Sequence, residues 1–576
     1  VQLQVIGHEL FITLSQDNRV KLEPLPPTRG LIYDRNGVLL AENYPAYTLE
    51  IVPEKVGDVA QTIEQLSRIL PIDEADIRRF ERLRKQRRRF DGVPIRTKLS
   101  QEEVAHFAVN RHRFPGVNIR AKLLRYYPLA EQTAHVLGYV GRINEEELKQ
   151  IDVSNYSGTS HIGKIGVERS YEALLHGSVG LQQVEVNAMG RVLRVLESRA
   201  PQPGSELHLF LDVRLQEEAM AALGEYRGAV VAIDPGTGGI LALVSNPSFD
   251  PNLFVEGISP SDYRALRDSP DKPLFNRALR GQYPPGSTVK PFMGLAGLET
   301  GAISYTETKY CPGFYRLPGH EHKYRDWRKW GHGVADMDLA ITQSCDVYFY
   351  DLAHTLGIDR LHAFLSRFSF GQKTGADLTG ELGGLLPSRE WKRRARNQPW
   401  YPGETLIVGI GQGSFLATPL QLATATSILA ARGHAIRPRV VRSRTGVDPN
   451  GGVTDLSPEV SQLPITNARN WTNVIESMLH VVEGQRGTAR RIRTADYRIA
   501  GKTGTAQVFT VKQNEEYDED KVSERMRDHA LFVAFAPVEA PRIAVAVLVE
   551  NGGHGGSVAA PIARRVMDAY LIGGGG

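Results

Sequence analysis

Ser287 and Lys290 lie three positions apart, directly after a Pro-Pro-Gly sequence and at the start of an apolar segment. The apolar residues predict a helix, and in its first turn this spacing puts both side chains on one face, within hydrogen-bonding reach. A serine hydroxyl acts as a nucleophile only when a neighbouring base takes its proton. A lysine can be that base when burial or a nearby cation lowers its pKa. The pair therefore predicts acyl transfer through a serine, although Ser-x-x-Lys alone is a weak signal.

Ser344 and Asp346 form a second polar pair, in front of the apolar residues 347–350. Ser344 could relay a proton between Lys290 and a leaving amine, or it could simply be the N-cap of a helix. Asp346 could accept a hydrogen bond from a substrate amide or hold a lysine. Because a carboxylate donates no hydrogen bond unless it is protonated, the role of Asp346 stays open.

The third segment contains Lys502, Thr503, Gly504 and Thr505 within a run of small residues that predicts an accessible strand. A substrate peptide can pair with such a strand by β-addition. We expect Lys502 to supply positive charge and Thr503 to donate to a substrate carboxylate. We expect Gly504 to leave room for the substrate, and the Thr505 amide to complete an oxyanion hole with the amide of Ser287.

Ser-x-x-Lys, Ser-x-Asp and Lys-Thr-Gly, in this order along the chain, resemble the motifs of the penicilloyl-serine transferases. Further segments at 29–37, 163–168 and 409–413 resemble boxes of class B penicillin-binding proteins, so the resemblance extends over nearly the whole chain. The segment 324–327, together with aspartate at position 346 where most relatives carry asparagine, resembles the members that act in cell elongation.

This resemblance implies an α+β fold. A C-terminal penicilloyl-serine transferase domain, with an antiparallel sheet flanked by helices, would follow an elongated, non-catalytic N-terminal pedestal or dimerisation-type module. A change in composition around residues 201–204 predicts the boundary, so we place the module at 1–205 and the transpeptidase domain at 206–572. The glycines at 573–576 are interpreted as a flexible tail or an expression remnant. The predicted elements are apolar strands at 230–233, 240–244, 532–536 and 543–549, a closing helix at 558–569 and a mobile loop at 513–527.

The resemblance also implies a peptidoglycan D,D-transpeptidase. Ser287 would attack the penultimate carbonyl of a stem peptide that ends in D-Ala-D-Ala, with Lys290 as base, and an amine of a neighbouring stem peptide would resolve the acyl-enzyme. β-Lactams would mimic the donor and stay attached to Ser287, and this chemistry needs no cofactor. The implied catalytic residues are Ser287, Lys290, Ser344, Asp346 and Lys502. Two lysines at one site should lower each other's pKa, which favours a neutral Lys290.

Both cysteines of the chain bracket a segment rich in metal-ligating side chains. Zinc accepts thiolates, an imidazole and a carboxylate in tetrahedral geometry, and here it would brace the site rather than react. A Cys311–Cys345 disulfide and two unpaired buried thiols are the alternatives, and His320 and His322 are expected to face solvent. The predicted zinc ligands are Cys311, Asp326, His332 and Cys345.

Length and charge restrict the remaining possibilities. The 576 residues are too many for one core, and a net charge of +4 is too small to predict a nucleic-acid partner. No run approaches the roughly 18 apolar residues that span a bilayer. Because residue 1 is not methionine, we expect that an inner-membrane anchor has been removed, with the catalytic domain in the periplasm of a bacterial envelope. The resemblance implies as partners stem peptides, lipid-linked glycan strands, a SEDS-type glycosyltransferase and rod-complex scaffold proteins.

Two other classes of protein could carry the same motifs. A D,D-carboxypeptidase or β-lactamase would hydrolyse its acyl-enzyme, yet no obvious glutamate-centred loop for activating water is present, and a small hydrolase would not need the long N-terminal module. A β-lactam-sensing or scaffold protein would keep the fold without crosslinking peptides.

Overall fold

The structure of the protein, a computed structural model, describes residues 20–85, 89–187, 192–446, 452–508 and 522–573. Most of the loop predicted at 513–527 and the last three glycines of the predicted tail lie outside these ranges. Within them, no helix has both the length and the hydropathy required to traverse a lipid bilayer.

The N-terminal region contains short helices and a set of mostly antiparallel strands. Its strands are β1 (Val20–Leu25), β2 (Ile32–Tyr33), β3 (Leu39–Ile51), β4 (Val93–Leu99), β5 (Val117–Tyr126), β6 (Val140–Arg142), β7 (His161–Gly163), β8 (Gly180–Val186) and β9 (Val192–Arg199). Its helices are α1 (Val59–Ser67), α2 (Glu74–Arg84), α3 (Gln101–Asn110), α4 (Ala134–Leu137), α5 (Glu145–Leu148), α6 (Gly166–Ser170) and α7 (Glu172–His176).

The C-terminal region holds the longer helices. Its strands are β10 (Glu206–Leu209), β11 (Gly228–Ile233), β12 (Ile240–Asn246), β13 (Lys309–Cys311), β14 (Phe314–Tyr315), β15 (Tyr324–Arg325), β16 (Gly333–Ala335), β17 (His434–Ile436), β18 (Val441–Thr445), β19 (Val453–Asp455), β20 (Val460–Gln462), β21 (Ala500–Ala506), β22 (His529–Ala536) and β23 (Ile543–Val549). Its helices are α8 (Val213–Leu223), α9 (Asn252–Val255), α10 (Pro260–Asp268), α11 (Arg277–Arg280), α12 (Lys290–Glu299), α13 (Met337–Thr342), α14 (Asp346–Leu365), α15 (Arg389–Arg396), α16 (Pro402–Gly409), α17 (Pro419–Ala430), α18 (Arg469–Glu483) and α19 (Ala559–Leu571).

A five-stranded antiparallel sheet in the order β12-β11-β23-β22-β21 forms the centre of the C-terminal region. Val230 on β11 pairs with Val547 on β23, so strands from the two ends of this region lie side by side, as predicted. Every residue of β23 is buried, which is expected of a strand covered on both faces. Helices α8, α17 and α19 pack against this sheet, and the predicted α+β fold is confirmed.

A second sheet joins the two regions. Strand β2 pairs in parallel with β10, which in turn pairs with β18, while β3 continues the sheet to β4 and β5. The turn after β2 adds a further link, because the Asp34 carboxylate accepts a hydrogen bond from Val213 N at the start of α8. Tyr171 likewise donates to Asp377 at 2.7 Å. The two regions therefore share backbone pairing as well as side-chain contacts.

The buried apolar residues form one large cluster, a smaller, separate one, and a group of only three residues, Leu317, Tyr350 and Leu406. The large cluster runs from Ile32 and Leu40 through the five-stranded sheet to Met567. The smaller one, which we call the head core, lies among β3–β5 and α1–α3. The buried members of the head core are Leu49, Ile51, Val56, Ile63, Leu66, Leu70, Phe80, Val93, Ile95, Leu99, Phe107, Phe114 and Val117.

Candidate active site

Ser287 lies in a single 3-10 turn, Gly286–Val289, immediately before α12. Gly286 has φ +55° and donates its N–H to Gly411 O at 2.8 Å. A Cβ on Gly411 would lie only 2.2 Å from Gly286 O. Gly411 therefore packs directly against the turn, and its lack of a side chain permits this close approach.

The side chain of Lys290 is fully buried and holds the second segment in place. Its Nζ donates to Asp346 Oδ1 at 2.7 Å, to Ser344 O at 2.9 Å and to Ser344 Oγ at 3.2 Å. This ion pair fixes the position of the Lys290 amine beside the second segment. In the described part of the chain, no hydrogen bond joins Lys290 to Ser287, because the ammonium group points toward the carboxylate.

Ser344 connects the two lysines. Its Oγ lies 3.2 Å from Lys290 Nζ and 2.9 Å from Lys502 Nζ. Its backbone has φ +60°, a left-handed conformation that non-glycine residues rarely adopt. Helix α14 begins at Asp346 with Cys345 as its N-cap, so Ser344 is not the cap. The three predicted segments thus converge on one hydroxyl group.

Lys502 is also fully buried, on the central part of β21. Its Nζ donates to Ser344 Oγ and to Thr503 O at 3.0 Å. Burial, together with the nearby charge of Lys290, holds the pKa of Lys502 well below its usual value, although the Asp346 carboxylate opposes this shift. The surroundings of Lys502 therefore favour its neutral form.

Strand β21 is the outer strand of its sheet among the described residues, and it packs against the Ser287 turn. A Cβ on Gly504 would lie 2.7 Å from Thr288 Cγ2 and 3.2 Å from Pro285 O, so the turn occupies the space beside this glycine. Thr505 lies against Gly286, since a Cβ there would be 3.3 Å from Thr505 N. The backbone of Thr505 therefore lies next to the Ser287 turn. An oxyanion hole formed by the amides of Ser287 and Thr505 would require this proximity.

The hydroxyl of Thr503 is 2.8 Å from that of Thr488, and Gln412 Nε2 donates to Thr505 O at 2.9 Å. Our sequence reasoning missed both Thr488 and Gln412. Gln412 belongs to the glycine segment that we had singled out, which was a usable signal. Thr488 belongs to no motif that we recognised.

Asp326 and Asp346 are two buried carboxylates joined through the backbone. Asp326 Oδ2 accepts from Asp346 N at 2.8 Å and from Val347 N at 3.2 Å. Burial opposes ionisation of Asp326, but hydrogen bonds from His332 and Arg328 N lower its pKa to about 2. Burial raises the pKa of Asp346, and Lys290 counteracts this. Asp326 thereby orients the first turn of α14, which carries Asp346.

The four predicted metal-ligating residues come together beside α14. Cys311 Sγ lies 3.5 Å from Asp326 Oδ2 and 3.7 Å from His332 Nδ1. With Cys345, the ligand atoms of this group all lie within 4.8 Å of one another. Both cysteines are free thiols, and a hydrogen bond from the Cys345 thiol lowers the pKa of Cys311 to about 6. Two sulfurs, one imidazole and one carboxylate are a donor set that fits a tetrahedral zinc ion.

Comparison with known proteins points to one family. The model for the penicillin-binding protein transpeptidase domain matches residues 228–568, and that for the penicillin-binding protein dimerisation domain matches residues 24–209. The peptidoglycan D,D-transpeptidase MrdA of Acinetobacter baumannii is 49% identical over 99% of this chain and 84% of its own length.

Two solved structures resemble the chain over most of its length. A crystal structure of Pseudomonas aeruginosa PBP2 in complex with WCK 5153 is 46% identical, with a TM-score of 0.74, and the match covers 96% of this chain and 97% of the other. A complex between PBP2 and MreC from Helicobacter pylori is 32% identical, with a TM-score of 0.83, covering 96% and 99%.

Proposed function

This chain belongs to the penicillin-binding protein transpeptidase family, and from that membership we propose that it is a peptidoglycan D,D-transpeptidase that acts in cell elongation. The hydrogen bonds of Lys290 and Lys502 to Ser344 Oγ, next to the Ser287 turn and the outer strand β21, support the proposal. A nucleophile, two amines and a strand to which a peptide can add are the parts that acyl transfer from a peptide requires. We propose that the transpeptidase domain spans 206–572, after an N-terminal module at 1–205.

The reaction is proposed to proceed in two acyl transfers. Ser287 Oγ bonds to the carbonyl carbon of the penultimate D-Ala, its proton passes to Lys290, and the C–N bond to the terminal D-Ala breaks. The leaving amine takes a proton through Ser344. An acceptor amine then attacks the ester, Ser287 recovers its proton, and a new amide crosslinks two stem peptides. Asp346 orients Lys290, and the amides of Ser287 and Thr505 stabilise the oxyanion.

Lys502 and its neighbours are proposed to complete the site. Lys502 donates to Ser344 Oγ, so a proton can move between the two amines through that hydroxyl. Thr503 is proposed to bind the terminal carboxylate of the substrate. Gly504 is proposed to let β21 approach the Ser287 turn, and the short distances from a Cβ at this position to Thr288 Cγ2 and Pro285 O support this role.

Mass spectrometry after exposure to a β-lactam tests the proposal. The wild-type protein should gain the mass of one β-lactam on Ser287, and Ser287→Ala should gain none, because the nucleophile is absent. An adduct that persists in Ser287→Ala would remove Ser287 from its role. Rapid hydrolysis of the adduct would instead favour a carboxypeptidase or β-lactamase, whereas acylation without crosslinking of peptides would favour a sensor or scaffold.

A structural zinc ion is proposed for Cys311, Asp326, His332 and Cys345. When bound, it would tie β13 and β15 to the start of α14 and thereby hold the segment that carries Ser344. The transfer chemistry itself needs no metal. Each of the four residues supplies a ligand type that zinc accepts, and their burial excludes competing water.

The protein is further proposed to work in a bacterial cell envelope, anchored to the inner membrane, with its catalytic domain in the periplasm. The related PBP2 of Helicobacter pylori forms a complex with MreC, which supports a scaffold protein of that type as a partner here. A SEDS-type glycosyltransferase would supply the lipid-linked glycan strands whose stem peptides are crosslinked.

A further inference from the structure

Trp327 lies beside the Ser344 segment and donates both of its N–H groups to it. The indole Nε1 donates to Ser344 O at 3.1 Å and to Gln343 O at 3.2 Å. The backbone N–H donates to Asp346 Oδ2 at 3.1 Å. No step of the proposed reaction uses this residue, yet it contacts both polar residues of the second motif.

These contacts matter because the backbone of Ser344 is strained. A non-glycine residue at φ +60° costs on the order of 1 kcal/mol or more, and it persists only when its surroundings hold it. The Ser344 carbonyl oxygen accepts one hydrogen bond from Lys290 Nζ at 2.9 Å and another from the Trp327 indole. Both lone pairs of this oxygen are therefore used. The position of Ser344 Oγ between the two lysines depends on this backbone.

We propose that Trp327 is a positioning residue for acyl transfer: its indole N–H holds the Ser344 backbone so that Ser344 Oγ stays between Lys290 and Lys502. This inference rests on the proposed function. Trp327 is 63% exposed, so its packing, which includes a tilted contact with the His332 ring at 5.8 Å between centroids, buries little area, and the hydrogen bonds are the main contribution of the side chain.

Trp327→Phe tests the inference, because phenylalanine keeps an aromatic ring and the backbone N–H but lacks the indole donor. The rate constant for acylation by a β-lactam should fall about tenfold, the value of one hydrogen bond in a positioned site. The dissociation constant of the β-lactam should stay within about twofold. Trp330→Phe is the matched control, since Trp330 is 85% exposed in the same loop, and its acylation rate should equal that of the wild type.

Thermal unfolding and zinc content of each variant separate positioning from folding. Trp327→Leu also lacks the donor and should show the same loss of rate as Trp327→Phe. An unchanged rate in Trp327→Phe, a weaker dissociation constant alone, or rates that follow the melting temperatures of the two variants would each overturn the inference. Failure of the wild type to be acylated on Ser287 would refute the proposed function itself, which is a different result.

Discussion

Lys502 is a buried amine at the centre of the site. From its lowered pKa we predict how the stability of the protein changes with pH and how a substitution changes its activity. Since burial lowers that pKa below the usual 10.5, the folded protein binds fewer protons at this site than the unfolded chain does. The stability of the wild type should therefore increase as the pH rises toward 10.5, where the difference disappears.

Lys502→Met removes the charge while keeping a similar volume. The melting temperature of the variant should exceed that of the wild type at neutral pH by about 2 °C or more, and this advantage should shrink as the pH approaches 10.5. Acylation by a β-lactam should fall about 100-fold or more, because the proton path through Ser344 loses one amine. A variant that melts lower than the wild type at every pH, or that acylates normally, would contradict this assignment.

Residue types along the chain predicted which side chains would meet, but not all of their partners. The meeting of Lys290, Ser344 and Lys502 was predictable because few residue types can act as a base or relay a proton. The ion pair between Lys290 and Asp346 was only one of two roles weighed for Asp346, since a carboxylate can hold a lysine or a substrate amide equally well. Trp327 appeared only as part of a family segment, because its contact with Ser344 depends on how the loop before it folds.

At the scale of elements, the segment from β13 to the start of α14 carries the four residues proposed to bind zinc and reaches the site through Asp346. If zinc braces this segment, the protein should contain about one zinc per chain by elemental analysis. Cys345→Ser should lose the metal and melt several degrees lower, because an unfilled ligand set no longer ties the strands to the helix. His320→Ala is the control, since His320 is exposed in the same segment and should retain the zinc.

Two other results would decide against zinc. A protein without metal whose mass is about 2 Da lower under non-reducing conditions would contain the Cys311–Cys345 disulfide. A metal-free protein with two titratable thiols would contain neither the zinc ion nor the disulfide. Chelation of a zinc-loaded wild type should slow acylation more than it changes the affinity for the β-lactam, because the metal acts on the position of Ser344.

Strands and helices were predictable where local apolar patterns are strong, and less so where pairing is distant. The apolar runs at β11, β12, β22 and β23 predicted strands because they are short, contain β-branched or aromatic residues and are bounded by turn residues. The parallel pairing of β2 with β10 was not predicted, since no local pattern encodes contacts between residues about 175 positions apart. The small strands β13–β16 were also missed, because two or three residues carry no periodicity.

At the scale of the whole molecule, the large cluster and the head core predict which parts unfold together. The large cluster extends across the shared sheet into both regions, so the N-terminal strand β2 should unfold together with the transpeptidase region. The head core has its own buried residues and should unfold separately. Calorimetry of the wild type is therefore expected to show two transitions, of which only the larger should shift when a β-lactam acylates Ser287.

Phe80→Ala and Leu207→Ala separate these two units. Phe80 is fully buried in the head core, and its truncation should cost that unit about 3–5 kcal/mol and lower the smaller transition alone. Acylation should continue at the wild-type rate, because no head-core residue contacts Ser287 or its partners among the described residues. Leu207 is fully buried in the large cluster, so Leu207→Ala should lower the other transition instead. A single transition that both variants shift together would mean that the head core is not independent and that strain in it is transmitted to the site through the shared sheet.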